Sequence, residues 1–468
     1  MLVGTGSDVG KSVIATALCR IFKQDGYHPA PFKAQNMALN SFATPEGFEI
    51  GRAQAVQAEA CGLPPHTDMN PLLLKPNSEH TTQVVLNGRP IGNRSAYDYF
   101  RKEGREPLRR AVHEAFDRLA EKYNPIVMEG AGSVSEINLR ESDIVNMSMA
   151  QHAGANVILV ADIDKGGVFA SCYGSIMLQT PEDRKLIKGI IVNKFRGDIR
   201  LFESGKKMLE DICGVPVLGV VPMLPHINID EEDSVALDSK QKSRKDGLIN
   251  VVVVMLRHIS NFTDFNVLER DPRVNLYYSN NIADIESADI IILPGTKATL
   301  DDLLELRRNG VAKAILMAHK AGKTIVGICG GYQMLGQTVN DSDGVEGNIP
   351  SLPGLGLLDI HTVMSTEKTT QQVEFMFEGS ICKGYEIHQG RSGKLEDDEI
   401  VEDNRDYMIC DNVIGTYIHG FLDNQPVIDY ILKDSTPTTL QPIEDPYDRL
   451  ADHVRKYVDI NQIYSWND

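Results

Sequence analysis

Residues 4–12, GTGSDVGKS, place glycines, a lysine and a serine between a short apolar stretch and a helical pattern of apolar positions. Glycines let consecutive backbone N–H groups converge on phosphate oxygens, and a Gly-Lys-Ser ending supplies a phosphate-binding ammonium and a Mg²⁺-ligating hydroxyl. The sequence therefore predicts a phosphate loop in which Lys11 reaches the β- and γ-phosphates of ATP and Ser12 ligates Mg²⁺. Because Gly4 lies one position too early for the usual spacing, the loop is a variant. The residues predicted to surround the phosphates are Gly6, Ser7, Asp8, Val9 and Gly10.

Three polar residues follow apolar stretches farther along the same half of the chain. Lys33 ends the stretch 27–33, where a phosphate clamp and a solvated lysine at a strand end are equally good interpretations. Glu129 follows the stretch 125–128, and an acidic residue there is typical of a Mg²⁺ partner beside a nucleotide loop. Asn193 follows the stretch 189–192, where a P-loop fold positions an amide that recognises the base. All three are expected at the edge of the sheet that carries the phosphate loop.

A single cysteine, Cys329, stands among glycines in the segment 327–333, GICGGYQ. A strand-to-helix turn of this composition is typical of a nucleophile elbow, in which the tight turn projects the reactive side chain into a crevice. Buried structural cysteines are common, but nearby glycines do not usually surround them, so we interpret Cys329 as a nucleophile. The backbone N–H groups of Gly295 and Gly330 form the predicted oxyanion hole.

The thiol needs a base, and two histidines at strand ends compete for this role. Sequence spacing alone does not separate His388 from His419. Gly420 follows His419 and leaves room for a substrate beside the ring, whereas a polar turn follows His388. We therefore predict that His419 lies near Cys329 and that His388 lies farther away.

These residues must be positioned by a sheet, and the chain alternates strand-like with helix-like stretches, which predicts parallel strands covered by helices. The strand-like stretches are 27–33, 125–128, 156–160, 189–192 and 215–221 in the first half, and 249–256, 289–293, 324–327 and 415–419 in the second. A polar run with segregated charges separates the halves. We predict two α/β domains: a P-loop parallel-sheet domain over residues 1–225, a linker over 226–248, and a second domain over 249–468 with a C-terminal helix.

Composition restricts the possible partners and the compartment. A net charge of −18 over 468 residues disfavours binding to nucleic acid or to an anionic membrane surface. The seven cysteines include no C-x-x-C pair, which argues for a reducing compartment. The longest apolar runs are strand-sized, and no signal peptide is evident, so we expect a cytoplasmic protein. The oligomeric state is left open by the sequence, as is a natural start upstream of residue 1.

The motifs together resemble those of a known family, and the resemblance covers essentially the whole chain. The segment GICGGYQ with the later YIHG at 417–420 is similar to the class I, flavodoxin-like glutamine amidotransferase domain of the corrinoid amidotransferases. The phosphate loop, residues 32–41 and residues 162–170 resemble the amino-terminal domain of the cobyric acid synthase branch, which is itself similar to dethiobiotin synthetase. Residues 32–41, 49–76 and 162–171 carry the most specific part of this resemblance.

The resemblance implies ATP- and glutamine-dependent conversion of four peripheral carboxylates (b, d, e and g) of adenosylcobyrinic acid a,c-diamide to carboxamides. It implies that Cys329 is the nucleophile and His419 its base, with glutamine and a corrinoid as substrates and ATP and Mg²⁺ as cofactors. The other implied roles are phosphate and Mg²⁺ binding by Lys11 and Ser12, metal binding by Glu129, contact with the transferred phosphoryl by Lys33 and contact with adenine by Asn193.

One departure and two alternatives accompany this interpretation. Many glutamine amidotransferases carry a Glu two residues after the histidine, but this chain has Phe421 there, so the third member of the triad is unassigned. The first alternative is a related amidase that acts on the a and c positions of cobyrinic acid. The second is a nucleotide switch with an inactive second domain, although partitioning switches of this fold carry an early loop lysine where this chain has Gly6.

Overall fold

The computed structural model describes residues 1–76, 81–95, 99, 105–224, 244–396, 399–402, 405–433 and 445–466. The greater part of the predicted linker 226–248 lies outside these residues. The charged stretch 97–123 is predicted from the sequence to be helical, and its residues 97–98 and 100–104 also lie outside them. The two-domain α/β architecture predicted from the sequence is confirmed.

The first domain begins with the phosphate-loop strand. Its strands are β1 (Leu2–Gly4), β2 (Ala30–Phe32), β3 (Gln35–Met37), β4 (Ser41–Ala43), β5 (Glu49–Gly51), β6 (Leu72–Pro76), β7 (Thr81–Leu86), β8 (Arg89–Ser95), β9 (Ile126–Met128), β10 (Val157–Asp162), β11 (Ile187–Phe195) and β12 (Val217–Pro222). Its helices are α1 (Lys11–Gln24), α2 (Arg52–Cys61), α3 (Arg105–Ala120), α4 (Met147–Ala153), α5 (Val168–Met177), α6 (Pro181–Leu186) and α7 (Glu203–Cys213). Short 3-10 turns lie at Thr67–Met69, Ile137–Ser142 and Ile199–Phe202.

The central sheet of this domain is parallel and covered on both faces. Strands β1, β10, β11 and β12 pair in that order, and the parallel pair β2–β9 joins them through a bridge between Leu2 and Glu129. Alternate residues of β10 enter two different cores, Ile158 and Val160 on the side of α1 and Val157 and Leu159 on the opposite side. Because both faces are buried, these strands are apolar throughout, which is why the sequence shows them as continuous apolar runs.

The second domain starts at β13 and contains a larger sheet. Its strands are β13 (Ile249–Val254), β14 (Val274–Ser279), β15 (Ile290–Leu293), β16 (Thr324–Ile328), β17 (Thr338–Asn340), β18 (Ser351–Pro353), β19 (His361–Val363), β20 (Thr369–Phe377), β21 (Ser380–His388), β22 (Arg391–Glu396), β23 (Glu399–Glu402), β24 (Tyr407–Cys410), β25 (Val413–Thr416) and β26 (Ile418–His419). Its helices are α8 (Asn266–Arg270), α9 (Ile282–Ser287), α10 (Thr299–Arg308), α11 (Val311–Lys320), α12 (Gly330–Leu335) and α13 (Gln425–Leu432). Two 3-10 turns lie at Phe262–Phe265 and Phe421–Asp423.

The main sheet of this domain has the order β14-β13-β15-β16-β25-β24, and only the pair β24–β25 is antiparallel. A smaller antiparallel sheet, β20-β21-β26, stands beside it and carries His419 on its last strand. The carboxyl ends of β15 and β16 therefore face the strand that bears the histidine.

The last two helices leave the second domain and pack on the first. Helix α14 (Pro446–Tyr457) and helix α15 (Ile460–Tyr464) bury Leu450, Val454 and Ile463 in the core that contains α1. Arg20 on α1 bonds the carboxylate of Asp448 at 2.5 Å. The division predicted from the sequence assigns this segment to the second domain, whereas the structure packs it against the first. None of the helices within the described ranges combines the length and apolar character needed to cross a bilayer.

We expect the substitution Leu450→Ala to lower the free energy of unfolding by about 2–5 kcal/mol, because it removes a side chain that is 1% exposed and leaves a cavity against α1. Urea unfolding measures the loss, and the exposed neighbour Asp452→Ala serves as the control. Hydrogen exchange shows where the stability is lost, and we expect the α1 amides to exchange faster in Leu450→Ala than in the wild type. Unchanged protection of α1 in Leu450→Ala would contradict the assignment of α14 to the first domain.

Candidate functional site

The lysine that follows the loop between β1 and α1 is held by two backbone carbonyl groups, one in this loop and one after β9. Gly10, the last residue before α1, has a φ of 93°, a conformation that glycine adopts without strain. Lys11 Nζ donates to Gly6 O at 3.1 Å and to Gly132 O at 2.9 Å. The ammonium group therefore lies at the loop mouth, held by neutral carbonyl oxygens that an incoming phosphate can replace.

A buried carboxylate, Glu129, lies at the centre of the polar cluster beside the loop. Its Oε1 accepts hydrogen bonds from Ser12 Oγ at 2.8 Å and from Lys33 Nζ at 2.9 Å. Its Oε2 accepts from Gln57 Nε2 at 2.6 Å. Glu129 is 1% exposed and Lys33 is 4% exposed, so the ion pair is shielded from solvent. The structure thus brings Ser12, Lys33 and Glu129 together, and it buries Lys33 where the sequence left a solvated lysine equally possible.

A cavity of about 1000 Å³, which we call the phosphate-loop cavity, opens over this cluster. Of the residues predicted for the nucleotide site, those that line it are Ser7, Asp8, Gly10, Lys11, Ser12, Lys33 and Glu129. Gly6 and Val9 lie outside the lining. Its far wall carries apolar residues such as Ile137, Leu139 and Met147, so the cavity also has room for a bulky molecule next to the phosphates.

Asn193 contacts the backbone of the phosphate loop. Its Nδ2 donates to Val9 O at 2.9 Å, and a side chain at Gly10 would meet this nitrogen at 2.1 Å. The adjacent Lys194 has a positive φ of 59°, donates to Asp8 O and pairs with Asp162 at 3.1 Å. The contact observed for Asn193 is thus with the loop backbone, and adenine recognition by this residue stays a prediction.

The donor set at the loop fits Mg²⁺. A serine hydroxyl and a carboxylate are hard oxygen ligands, and Mg²⁺ bound to a nucleotide usually takes only one or two protein ligands. Ser12 Oγ and Glu129 Oε1 are already 2.8 Å apart, close enough to face one ion. Within the described part of the chain, groups of three or more His, Cys, Asp or Glu that could form an all-protein metal site are absent.

The second site lies at the end of β16, where Cys329 adopts a strained backbone. Its φ of 52° and ψ of −110° place the residue in a sharp turn immediately before α12. The turn is possible because a glycine follows at each of the next two positions: a Cβ at Gly331 would lie 2.0 Å from Leu293 O. The geometry is that of the elbow that the spacing of glycines predicts.

His419 faces this thiol, and a buried aspartate holds its ring. His419 Nδ1 lies 2.7 Å from Asp264 Oδ2, and Gly420 N donates to Asp264 Oδ1 at 3.1 Å. Burial disfavours the charged imidazolium, but the charge of Asp264 and the hydrogen bonds to Asp264 and Cys329 outweigh it and raise the pKa of His419 to about 10. Asp264 is therefore positioned to orient the imidazole, as a third triad member would, and Phe421 offers no group for this.

His388, the competing base, is engaged elsewhere. Its Nδ1 lies 2.9 Å from Gly390 O, and its ring stacks on Tyr417 with centroids 3.7 Å apart. Burial lowers the pKa of His388 to about 4, so its ring is neutral near pH 7. Both histidines line the cavity beside Cys329, but the geometry favours His419 as the base.

The two glycines predicted for the oxyanion hole lie on adjacent turns. An added Cβ at Gly295 would be 3.3 Å from His419 Cε1, and one at Gly330 would be 3.1 Å from Thr296 N. Their backbones thus approach each other beside the thiol, at the ends of β15 and β16. The arrangement is compatible with two N–H groups converging on one oxygen.

Two functional side chains were missed by reasoning from the sequence. Asp264 lies in a 3-10 turn after β13, and an acidic residue between Phe262 and Phe265 was the signal that the sequence offered. Gln57 lies on α2, where a glutamine among alanines was a weaker signal, and its burial is known only from the structure. Neither residue is close in sequence to the group that it orients.

The two sites are separated by a single layer of residues at the domain interface. Asn40 lines the phosphate-loop cavity, whereas the next residue, Ser41, lines the smaller cavity that contains Cys329, which we call the Cys329 cavity. From the second domain, Phe262 lines the first cavity and Asn261 lines the second. Ser41 N donates to Asn261 Oδ1 at 3.0 Å, and Phe262 N donates to Asn40 Oδ1 at 3.2 Å.

Comparisons with known proteins cover both domains. A family model described as the CobQ/CobB/MinD/ParA nucleotide binding domain matches residues 1–235. A model described as the CobB/CobQ-like glutamine amidotransferase domain matches residues 250–427. The second model ends before α14, in keeping with the packing of the last helices on the first domain.

Full-length relatives share most of the sequence. Proteins named cobyric acid synthase are similar to this chain in Bacteroides fragilis (65% identity), Phocaeicola vulgatus (64%) and Parabacteroides distasonis (57%). Each alignment covers 99% of this chain and 97%, 97% and 98% of the respective relative.

We expect Asp264→Asn to lower the pKa of His419, because burial then acts on the imidazolium without the opposing carboxylate. In the wild type, the stability contributed by this charge is fully present below the ordinary histidine pKa and is lost as pH rises through about 10. Alkylation of Cys329 by iodoacetamide at pH 7 should slow, and glutamine hydrolysis should fall roughly 10²- to 10⁴-fold.

The exposed Asp343→Asn is the matched control and should change neither rate. Alkylation and hydrolysis at wild-type rates in Asp264→Asn would show that Asp264 does not orient the base.

Proposed function

The chain belongs to the cobyric acid synthase family, and on this premise we propose that it amidates the b, d, e and g carboxylates of adenosylcobyrinic acid a,c-diamide. The proposed reaction consumes ATP and glutamine and proceeds through acyl phosphates. Similarity to the named relatives over 99% of the chain supports the substrate class. The phosphate-loop cavity, with room for a bulky substrate beside Lys11, supports the reaction type.

A carboxylate does not accept ammonia directly, because hydroxide is a poor leaving group. In the proposed first step, Lys11 and Lys33 bind the γ-phosphoryl of ATP while an oxygen of the corrinoid carboxylate attacks it and ADP leaves. Ser12 and Glu129 would hold Mg²⁺, which neutralises phosphate charge when bound. Gln57 keeps Glu129 in place through its hydrogen bond to Oε2.

In the proposed second half-reaction, the Cys329 thiolate attacks the side-chain carbonyl of glutamine. The backbone N–H groups of Gly295 and Gly330 would stabilise the oxyanion, and protonated His419 gives its proton to the departing nitrogen, so that NH₃ leaves. Neutral His419 then takes a proton from the water that hydrolyses the thioester to glutamate. Asp264 orients the imidazole throughout and keeps Nδ1 engaged.

The observation that carries this proposal is the contact between the two cavities. Asn40 and Ser41 are consecutive residues that line different cavities, and so do Asn261 and Phe262. Ammonia released into the Cys329 cavity would therefore have one residue layer to cross before it enters the phosphate-loop cavity. Two unrelated activities would not need this proximity, and a nucleotide switch would not need the Cys329–His419–Asp264 set.

The amidation of corrinoids provides a direct test. With purified adenosylcobyrinic acid a,c-diamide, ATP and glutamine, mass spectrometry should detect four successive conversions of carboxylate to carboxamide. We expect Cys329→Ala to abolish the reaction with glutamine and to retain it with high concentrations of ammonium salt, because the two chemistries use different domains. Normal amidation from glutamine by Cys329→Ala would disprove the role of the thiol. The related a,c-diamide activity would appear instead as turnover of cobyrinic acid itself.

Lys11→Ala should affect the ATP-dependent amidation much more than the hydrolysis of glutamine, the opposite of what we expect for Cys329→Ala. The lysine contacts charge on the transferred phosphoryl, so its removal should lower amidation with either nitrogen source by roughly 10²- to 10³-fold. Hydrolysis of glutamine should change far less. The exposed Lys23→Ala, on the same helix, is the matched control. Wild-type amidation by Lys11→Ala would rule out the phosphate-loop assignment.

A further inference from the structure

Three of the described residues that line the Cys329 cavity are lysines, and two of them share one buried carboxylate. Lys75 Nζ lies 2.7 Å from Glu49 Oε1, and Lys368 Nζ bonds Glu49 Oε2. Glu49 is fully buried, so this carboxylate is shared by one lysine from each domain. Both Nζ atoms are directed at Glu49, and burial lowers the pKa of Lys368 to about 7, so part of the excess positive charge of this group is lost near pH 7.

Lys297, the third lysine, is different. It is 8% exposed, and its Nζ donates to the neutral amide oxygen Gln389 Oε1 at 2.9 Å. Within the described ranges, it forms no ion pair with a carboxylate oxygen at 4.0 Å or less. Burial lowers the pKa of Lys297, and the charge of Glu346 opposes this shift. A buried ammonium without a carboxylate in direct contact is costly, which makes Lys297 a candidate for binding an anionic group of a ligand.

Among the described residues that line the cavity, Glu346 is the single acidic one. Glu346 Oε2 accepts a hydrogen bond from Thr299 N, the first residue of α10, at 2.7 Å. It has no cationic partner within 4.0 Å in the part of the chain that the structure describes. Burial raises the pKa of Glu346 to about 7, although the side chain retains some exposure. The carboxylate oxygens of Asp341 accept hydrogen bonds from the N–H groups of residues 345–347 and fix the loop.

The cavity therefore presents a cation and an anion that interact through their charges but, within the described ranges, make no direct ion pair at 4.0 Å or less. We infer that the Lys297 ammonium binds the α-carboxylate of glutamine and that the Glu346 carboxylate binds its α-ammonium group. The inference rests on the proposed glutaminase function of Cys329. A zwitterion supplies the opposite charge to both residues at once, which a simple carboxylate or ammonia does not.

The local structure supports this assignment. Lys297 lies two residues after Gly295, on the same turn that approaches His419, and its N–H donates to His258 O at 3.1 Å. The turn thus presents a backbone N–H for the side-chain carbonyl of glutamine and an ammonium for its α-carboxylate. Gln333, also in the lining, bonds Thr299 Oγ1 and Tyr417 and keeps this wall polar but uncharged.

Glutaminase kinetics with three amides separate the two contacts. The amides are glutamine, 4-carbamoylbutanoate, which lacks the α-ammonium group, and 4-aminobutanamide, which lacks the α-carboxylate. For the wild type we expect kcat/KM to be about 10- to 100-fold lower with each analogue than with glutamine. In Lys297→Met, kcat/KM for glutamine should fall by about 10- to 100-fold. With 4-aminobutanamide, which has no carboxylate for Lys297 to bind, kcat/KM should stay within about threefold of the wild-type value. In Glu346→Gln, kcat/KM should likewise fall with glutamine and stay close to the wild-type value with 4-carbamoylbutanoate, which has no α-ammonium group for Glu346 to bind.

Lys320 and Glu305 are exposed, so Lys320→Met and Glu305→Gln serve as matched controls. Both control variants should prefer glutamine over each analogue by the same factor as the wild type. Melting temperature gives an independent readout of glutamine binding. In a Cys329→Ala background, glutamine should raise the melting temperature, and Lys297→Met should abolish that rise.

Several outcomes would overturn this inference. One is that Lys297→Met still prefers glutamine over 4-aminobutanamide by the wild-type ratio of kcat/KM. Another is that Glu346→Gln still prefers glutamine over 4-carbamoylbutanoate by the wild-type ratio. An equal loss for all three amides in Lys297→Met, with a shifted pH dependence of Cys329 alkylation, would assign Lys297 to the thiolate instead. A wild-type protein that does not hydrolyse glutamine would overturn the proposed function itself, which these variants do not test.

Discussion

A buried carboxylate at the domain interface links the two domains. Glu49 in the first domain bonds Lys75 of the same domain and Lys368 of the second, with almost no access to solvent. Burial opposes the charged form, but the two lysines outweigh it and lower the pKa of Glu49. Breaking the contact with Lys368 would leave a charge buried at the interface, so this ion pair favours the observed alignment, together with the hydrogen bonds of Ser41 and Asn40 to the second domain. That alignment places Asn40 and Ser41 between the two cavities.

Both domains use the same property of parallel sheets. The phosphate loop, Lys33 and Glu129 follow β1, β2 and β9, and Cys329 follows β16, so each site gathers side chains at the carboxyl ends of its strands. Chains that leave neighbouring parallel strands diverge there and open a crevice. The interface joins these two crevices, and this explains how one polypeptide can release a reactive nitrogen nucleophile close to the carbon that it must reach.

The electrostatics of the sites contrast with those of the whole protein. A chain with a net charge of −18 repels anionic substrates at long range, but its sites carry buried lysines: Lys11, Lys33, Lys75, Lys297 and Lys368. Charges in poorly solvated cavities are screened less than those on the surface. Local cations therefore decide what binds, and the surface charge does not.

The sequence by itself determined the features that depend on neighbouring residues. The phosphate loop, the glycine-rich turn at Cys329 and the two α/β domains follow from local spacing, since a turn or a buried strand needs particular residue types within a few positions. Even the choice between His388 and His419 could be argued from the residues that follow each histidine. Tertiary structure alone decided the partners that are distant in the chain. Asp264 lies 155 residues from His419, Gln57 lies 72 residues from Glu129, and Asp448 lies 428 residues from Arg20 on α1. Packing of whole elements brings such groups together, and no periodicity within one segment records which distant surface will cover it.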